Sequence, residues 1–330
     1  MIESGSAGVT TGIETGHPGF VHSALMYHSQ QEYLDLVSRF VCDGLAMGEA
    51  VLVAVPPDEL ALLYDGLYPG GGWPDELRMT DVTEVARNPT RFMAMEGSFV
   101  DEYPDRRVRI VSQIAWPGRT EEEYVACSQH EALVNEAMDG YQVSGLCLYD
   151  ASQLGGDVLA DARATHPMLW NCGALQRSRD YAPDDVLHRC NRPLHVNPGA
   201  VTYMVRKSED LRPARSFAVD YAGWVGLSQD GIEDLQLVAT ELATNSLMYS
   251  GGACRLAFWR DNQHLVCEAR DAGQFDTALV GRLDPGPGGP ASRGLYLVNA
   301  ISDLVRTHTT ATGTTIQAYL RFEPSPGPNG

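Results

Sequence analysis

The sequence predicts two domains, an amino-terminal α/β domain with a mostly parallel sheet and a carboxy-terminal α+β domain, and three observations point there. At 330 residues the chain exceeds the size at which one core stops growing. In the first half, short and wholly apolar runs alternate with amphipathic stretches, the pattern of parallel strands covered on both faces by helices. Between residues 180 and 200, Pro183, Pro193 and Pro198 stand among Asn191, Asn197 and Gly199. Helix and ladder should both be broken there, and residues 186–199 are read as the linker.

The elements follow in order. Residues 1–19, rich in Gly, Ser and Thr, read as a disordered tail. Tyr33, Leu34, Val37, Phe40, Val41 and Leu45 recur at helical spacing, with Gly48 as a stop. The run 50–55, closed by Pro56 and Pro57, reads as a strand buried on both faces. Residues 108–111 and 144–149 give two more strands, the second ending at Asp150, with a long helix over 121–138 between them. These belong to a first domain over 20–185.

In the second domain, 200–323, a strand at 201–205 precedes helices over 211–224 and 228–248. Ile232, Leu235, Leu237, Val238, Leu242 and Leu247 supply the apolar stripe of the longer helix. Strands near 255–259 and 265–269 lead to a Gly/Pro-rich loop over 281–292 that cannot hold regular structure. A helix over 293–302 and an alternating strand over 314–322 close the domain, and 324–330 is a second tail. Trp73, Trp116, Trp170 and Trp224 read as core or interface residues.

Composition excludes several functions. A net charge of -19, most of it in residues 1–199, is wrong for neutralising a phosphate backbone, so direct nucleic-acid binding is not expected. The seven cysteines are isolated and odd in number, and none forms a C-x-x-C pair. Neither a disulfide framework nor a structural zinc site is expected, and a reducing cytoplasm fits. No stretch reads as an export signal or a membrane span. Without a G-x-x-x-x-G-K-[ST] loop, and with Lys207 as the one lysine, P-loop ATPase chemistry is not expected either. His22 and His28, six apart and with no carboxylate pair nearby in sequence, read as partly exposed polar residues. Cys127 and His130, at i and i+3, read as a buried helix cysteine and its neighbour.

The chemistry lies in four short segments of the second domain. Glu241 and Asn245 share one helix face, so a carboxylate and a carboxamide can act on one ligand. Asp271-Ala-Gly273 stands at a strand end, where glycine lets the backbone approach a base. Arg293-Gly294-Leu295 follows the flexible loop at a helix start, where free N–H groups suit phosphate. Gly313-Thr314-Thr315 leads into the last strand.

In this order and at these separations the segments resemble the GHKL ATPase superfamily, with Glu241 and Asn245 as its N box and the two glycine segments as its Gly boxes. RGLYLVNAISDLV followed by GTTIQAYL looks like the RsbW and RsbA type of anti-sigma regulatory factor. The resemblance implies a Bergerat ATP-binding sandwich over roughly 200–323. It implies that Asn245 holds the Mg2+ that bridges the ATP phosphates and that Asp271 takes the adenine amino group with support from Thr314 or Thr315. Arg293, Gly294 and Leu295 would face the phosphates, and Glu241 would orient or deprotonate an attacking serine hydroxyl. The implied partners are a sigma factor, a STAS-domain anti-sigma antagonist, or both, and a homodimer is compatible with it. Gln274 and Phe275 depart from the family, which often has a second Gly there, so transfer is less firmly implied than binding. A nucleotide-dependent binding switch without catalysis is the alternative.

The stretch from His22 to Leu63 resembles the MEDS domain, a sensory module distantly similar to RecA-type folds. It implies that a small ligand of unidentified chemistry controls the second domain.

Overall fold

Strand β1 (Val21–Tyr27) lies near the middle of the first sheet, because every side chain on either face of it can be buried. The computed structural model describes residues 19–67, 72–275, 277–285 and 290–322. Residues 1–18 and 324–330 of the expected tails, and four residues of the 281–292 loop, lie outside the described residues.

After β1 come α1 (Gln30–Ala46), β2 (Ala50–Val55), α2 (Pro57–Leu67), β3 (Leu77–Asp81), α3 (Pro89–Asp101), β4 (Val108–Ser112), α4 (Glu121–Ala137), β5 (Val143–Asp150), α5 (Gly156–Thr165), β6 (Met168–Asn171), β7 (Ala174–Arg177) and α6 (Pro183–Cys190). The sheet order is β3-β2-β4-β5-β1-β6-β7, with every neighbouring pair parallel except β6 and β7. The alternation of β2 explains how it is covered. Val51, Val53 and Val55 pack with Tyr33, Phe40 and Leu63 of α1 and α2, whereas Ala50, Leu52 and Ala54 pack with Phe92 and Leu133 of α3 and α4.

The second domain runs β8 (Val201–Val205), α7 (Leu211–Val225), α8 (Gln229–Tyr249), β9 (Cys254–Asp261), β10 (His264–Asp271), α9 (Pro290–Ile301), β11 (Leu304–Thr310) and β12 (Gly313–Arg321). Its sheet, in order β11-β12-β10-β9-β8, is antiparallel throughout. Leu235, Val238 and Leu242 of α8 and Val298 of α9 meet Leu256, Phe258, Cys267 and Ala318 on one sheet face. This is a two-layer arrangement of helices over an antiparallel sheet.

Several expectations are corrected. The 180–200 stretch is not free of regular structure, because α6 occupies 183–190 and buries Val186 and Cys190 against Ala132 and Ala164. Pro183 stands in its first turn, where its missing N–H has no partner to lose, so it starts the helix instead of breaking one. Strands β1, β3, β6, β7 and β11 were not foreseen. β11 has only two leading apolar residues before Arg306, and that arginine is buried by the first domain and not by its own core. Trp170 is buried as expected, but Trp224 is 80% exposed and Trp73 42% exposed.

Arg109 of β4 is completely buried beneath α1, donating from Nε to Glu49 and from Nη1 to Phe40 O at 2.8 Å. Its guanidinium also lies over the Phe40 ring, 4.7 Å from the centroid. Glu49→Ala would leave that charge uncompensated, so urea denaturation should show a loss of about 3–5 kcal/mol. An unchanged midpoint would show that Phe40 alone holds the arginine.

Candidate functional site

Two helices of the second domain bring the first polar group together. α8 starts cleanly because Ser228 Oγ accepts from Gly231 N at 3.3 Å, and it then runs for 21 residues. Glu241 and Asn245, four apart, therefore stand one above the other, both half-buried. Gly294 of α9 sits directly against them. A Cβ at position 294 would overlap Glu241 Oε2 and lie 3.1 Å from Asn245 Nδ2, so any larger residue would push these side-chain ends from their places. The Nδ2 of Asn245 is buried without a hydrogen-bond partner. A carboxylate, a carboxamide with an unsatisfied N–H and the opening turns of a helix thus face one another.

The second group gathers where β10 ends. Asp271 Oδ1 accepts from Gly273 N at 2.7 Å, and Oδ2 accepts from Ser246 Oγ at 2.5 Å. Directly across the ladder from Asp271 stands Thr314, whose Oγ1 donates to Gly273 O at 2.8 Å. Gly313, at φ 149°, passes so close that a Cβ would overlap Asp271 O. Thr315 does not join this group. It pairs with Arg270, and because side chains alternate along a strand it points to the other sheet face. Arg293 is exposed in the first turns of α9, and Leu295 is buried.

A cavity of about 300 Å³ lies between the two domains. Phe275, Val280, Leu295, Asn299, Thr307 and Ile316 line it from the second domain, and Gln129, Leu187 and Asn191 close it from the first. Glu241, Asn245 and Asp271 do not line it. The reason lies in α9, where Gly294 turns toward α8 and its neighbour Leu295 turns toward the cavity.

The wall between the domains is held by polar side chains. Arg282 is buried and donates to Thr90 Oγ1 at 2.8 Å, Gln129 Oε1 at 2.9 Å and its own Ala278 O at 3.0 Å. Burial without a carboxylate partner pushes its guanidinium down to about 10. Asn88 donates to Asn299 O at 2.9 Å, and Asn299 Nδ2 donates in turn to Gly281 O at 3.1 Å. Arg306 donates to Glu122 Oε2 at 2.9 Å, and Asn191 pairs twice with the Thr309 backbone.

Sequence reasoning missed Ser246, Asn88, Arg282 and Asn299. Ser246 was discoverable: with Leu235, Ala239 and Leu242 it continues the buried seam of α8, and a hydroxyl on an apolar seam asks for a partner. The other three needed the docked domains. His22 is also corrected, since it lies in β1 at 2% exposure with Glu131 Oε2 3.2 Å from its Nε2. The carboxylate comes from α4, far off in sequence. His28 is exposed, as expected.

The first domain has its own cleft of about 270 Å³ at the carboxyl ends of β1 and β5, lined by Tyr27, His28, Ser29, Glu59, Asp150 and Ser152. The chain leaves these two strands in opposite directions, which is where open α/β sheets hold ligands.

Residues 21–167 match the MEDS family, the MEthanogen/methylotroph, DcmR Sensory domain, and residues 204–320 match the histidine kinase-like ATPase domain. The chain joins a MEDS domain to a histidine kinase-like ATPase domain. No curated protein matches it. The ATPase domain implies nucleotide binding, and the unsatisfied Asn245 amide fits a polar ligand there. Among the described residues no helix is long and apolar enough to cross a membrane.

Asn88 both caps α3, accepting from Thr90 N at 3.2 Å, and ties the MEDS domain to α9. Asn88→Ala should therefore cost about 1–2 kcal/mol in denaturant titration. Hydrogen exchange at 277–285 and along α9 should rise in the same variant. Faster exchange confined to α3 would show that the asparagine serves only as a cap.

Proposed function

We propose that this protein is an ATP-dependent regulator of the anti-sigma type, in which a Bergerat-fold nucleotide domain of the GHKL superfamily is governed by a RecA-like MEDS sensory domain. One observation carries the reading: Glu241, Asn245 and Gly294 meet at α9, while the next residue of α8, Ser246, orients Asp271 beside Thr314.

Each role follows from these contacts. The Asn245 carboxamide oxygen would hold Mg2+, a hard ion satisfied by one side-chain oxygen together with phosphates and waters. Asp271 uses one lone pair of each carboxylate oxygen on Ser246 and Gly273, which leaves capacity to accept from an adenine amino group. Thr314 keeps Gly273 in place at that corner. Because α9 begins at Pro290, the N–H groups of Gly294 and Leu295 are spent within the helix, and the phosphates would meet the side-chain-free surface at Gly294 with the exposed Arg293 as the cation at the rim. Bound MgATP supplies a transferable γ-phosphoryl group. Glu241, beside Asn245, would then orient or accept the proton of a serine hydroxyl, since phosphoryl transfer depends mainly on positioning and charge neutralisation.

The target would be a serine of a STAS-domain anti-sigma antagonist, with sequestration of a sigma factor as the accompanying activity. Two features favour this over a sensor histidine kinase. The helix before the ATPase domain has only eight residues, and residues 191–200 reach β8 without another helix, so a long helical dimerisation hairpin does not lead into the domain. The MEDS domain would exert control through the cavity wall, by way of Arg282, Asn299 and Asn88. A second reading, a nucleotide-dependent binding switch without transfer, is favoured by Gln274 and Phe275. Gln274 Nε2 donates to Ala311 O at 2.7 Å and Phe275 packs against the core where a second glycine would leave the loop free.

Incubation of the full chain with MgATP and STAS-domain proteins, read by phosphoserine mass spectrometry, separates the two readings. Transfer should fall by about 10²–10⁴-fold in Glu241→Ala, the range for loss of a positioned base, while nucleotide affinity is kept. Asn245→Ala and Asp271→Ala should each weaken ATP binding about tenfold or more, roughly 1.4 kcal/mol. Binding without phosphoserine would select the switch, and undiminished binding in both alanine variants would remove the site.

A further inference from the structure

Four side chains from four separate elements of the MEDS domain converge on one buried point. They are His22 of β1, Glu131 of α4, Cys147 of β5 and His166, which follows α5, and none exceeds 7% exposure. Glu131 Oε2 lies 3.2 Å from His22 Nε2, 3.4 Å from His166 Nε2 and 3.5 Å from Cys147 Sγ, and Cys147 Sγ lies 3.4 Å from His22 Nε2. All four ligating atoms are within 4.8 Å of one another.

The neighbours settle which way each group faces. His166 Nδ1 is 2.7 Å from Ala162 O, which can only accept, so Nδ1 carries the hydrogen and Nε2 turns a lone pair inward. That Nε2 is buried without a hydrogen-bond partner. Asn135 spends its amide hydrogens on Glu131 O, Ala132 O and Thr165 O, so its Oδ1 accepts from His22 Nδ1 at 3.1 Å. The Nε2 of His22 is then a second inward lone pair. Tyr149 donates to Glu131 Oε1 at 3.1 Å, which leaves Oε2 for the centre. Two imidazole lone pairs, a carboxylate oxygen and a thiol sulfur thus face one buried point, a donor set that a cation placed between them would satisfy.

We infer that His22, Glu131, Cys147 and His166 form a tetrahedral site for a borderline-soft divalent metal of the zinc class. Zinc bonds of about 2.0–2.3 Å at tetrahedral angles separate their ligand atoms by about 3.3–3.6 Å, close to the spacings seen here. Mixed nitrogen, sulfur and oxygen ligation suits Zn2+ or Co2+ and does not suit Mg2+ or Ca2+. With four protein ligands the site is closed, so it is structural and not hydrolytic. Metal entry releases the Cys147 proton and forms a metal–thiolate bond, with no change of oxidation state. Asn135, Ala162 O and Tyr149 are the outer partners that orient the ligands.

Full-length protein, stripped with chelator and titrated with Co2+, tests the site. One equivalent should bind, giving the strong visible bands of tetrahedral cobalt and a thiolate charge-transfer band in the near ultraviolet. Cys147→Ser should abolish the charge-transfer band, and Cys127→Ser, at a buried cysteine nearby, should keep it. X-ray absorption of the zinc-loaded native chain covers the case in which Cys147→Ser does not fold. A shell of one sulfur at about 2.3 Å with three lighter ligands is expected. Failure to bind Co2+ or Zn2+ in a folded chain, a charge-transfer band that survives in Cys147→Ser, or a shell with no sulfur or several would overturn the inference.

Discussion

The close passage of Gly294 over Glu241 and Asn245 is the constraint around which the ATPase domain is arranged. Any side chain at 294 would enter the space of both polar groups. The contact brings the start of α9 to the one face of α8 that carries a carboxylate and a carboxamide. The same helix places Ser246 against Asp271 and so couples the two polar groups through one turn of α8. Charge and dipole are fixed before a ligand arrives, which is what binding a phosphate chain and its cation requires.

Helix α4 relates this site to the other domain. Along its length Glu122 receives Arg306, Gln129 receives Arg282, and Glu131 reaches the buried cluster with His22 and His166. A change in how α4 is held would therefore be felt at both ends. Apart from those of the exposed Asn191, the bonds described across the domain boundary are made by buried arginines and asparagines whose partners are mostly neutral, so movement there leaves polar groups unsatisfied. Such contacts favour discrete arrangements over gradual ones.

What could be read in the sequence follows from how local each signal is. The strand 50–55 and the helices α7 and α8 announced themselves through apolar periodicity, because their own residues fill their own domain's core. Glu241, Asn245, Asp271 and Gly294 could be grouped because their order and spacing carry a recognisable pattern. β11 could not, since Arg306 draws its burial from the MEDS domain. α6 was hidden by a proline that begins the helix. The threonines at 314 and 315 were indistinguishable until strand register put Thr314 opposite Asp271 and Thr315 on the other face. His22 and Glu131 are brought together by a parallel sheet and its crossover helix, which no spacing rule reveals.

The most direct test of the nucleotide site is calorimetric titration of MgATP into the native chain and into Gly294→Val. Since the atoms met at 294 are chiefly side-chain ends, the variant should still fold. The account predicts saturable one-site binding by the native chain and a loss of about 100-fold or more in the variant, roughly 2.7 kcal/mol. Equal affinity in the two proteins would contradict it.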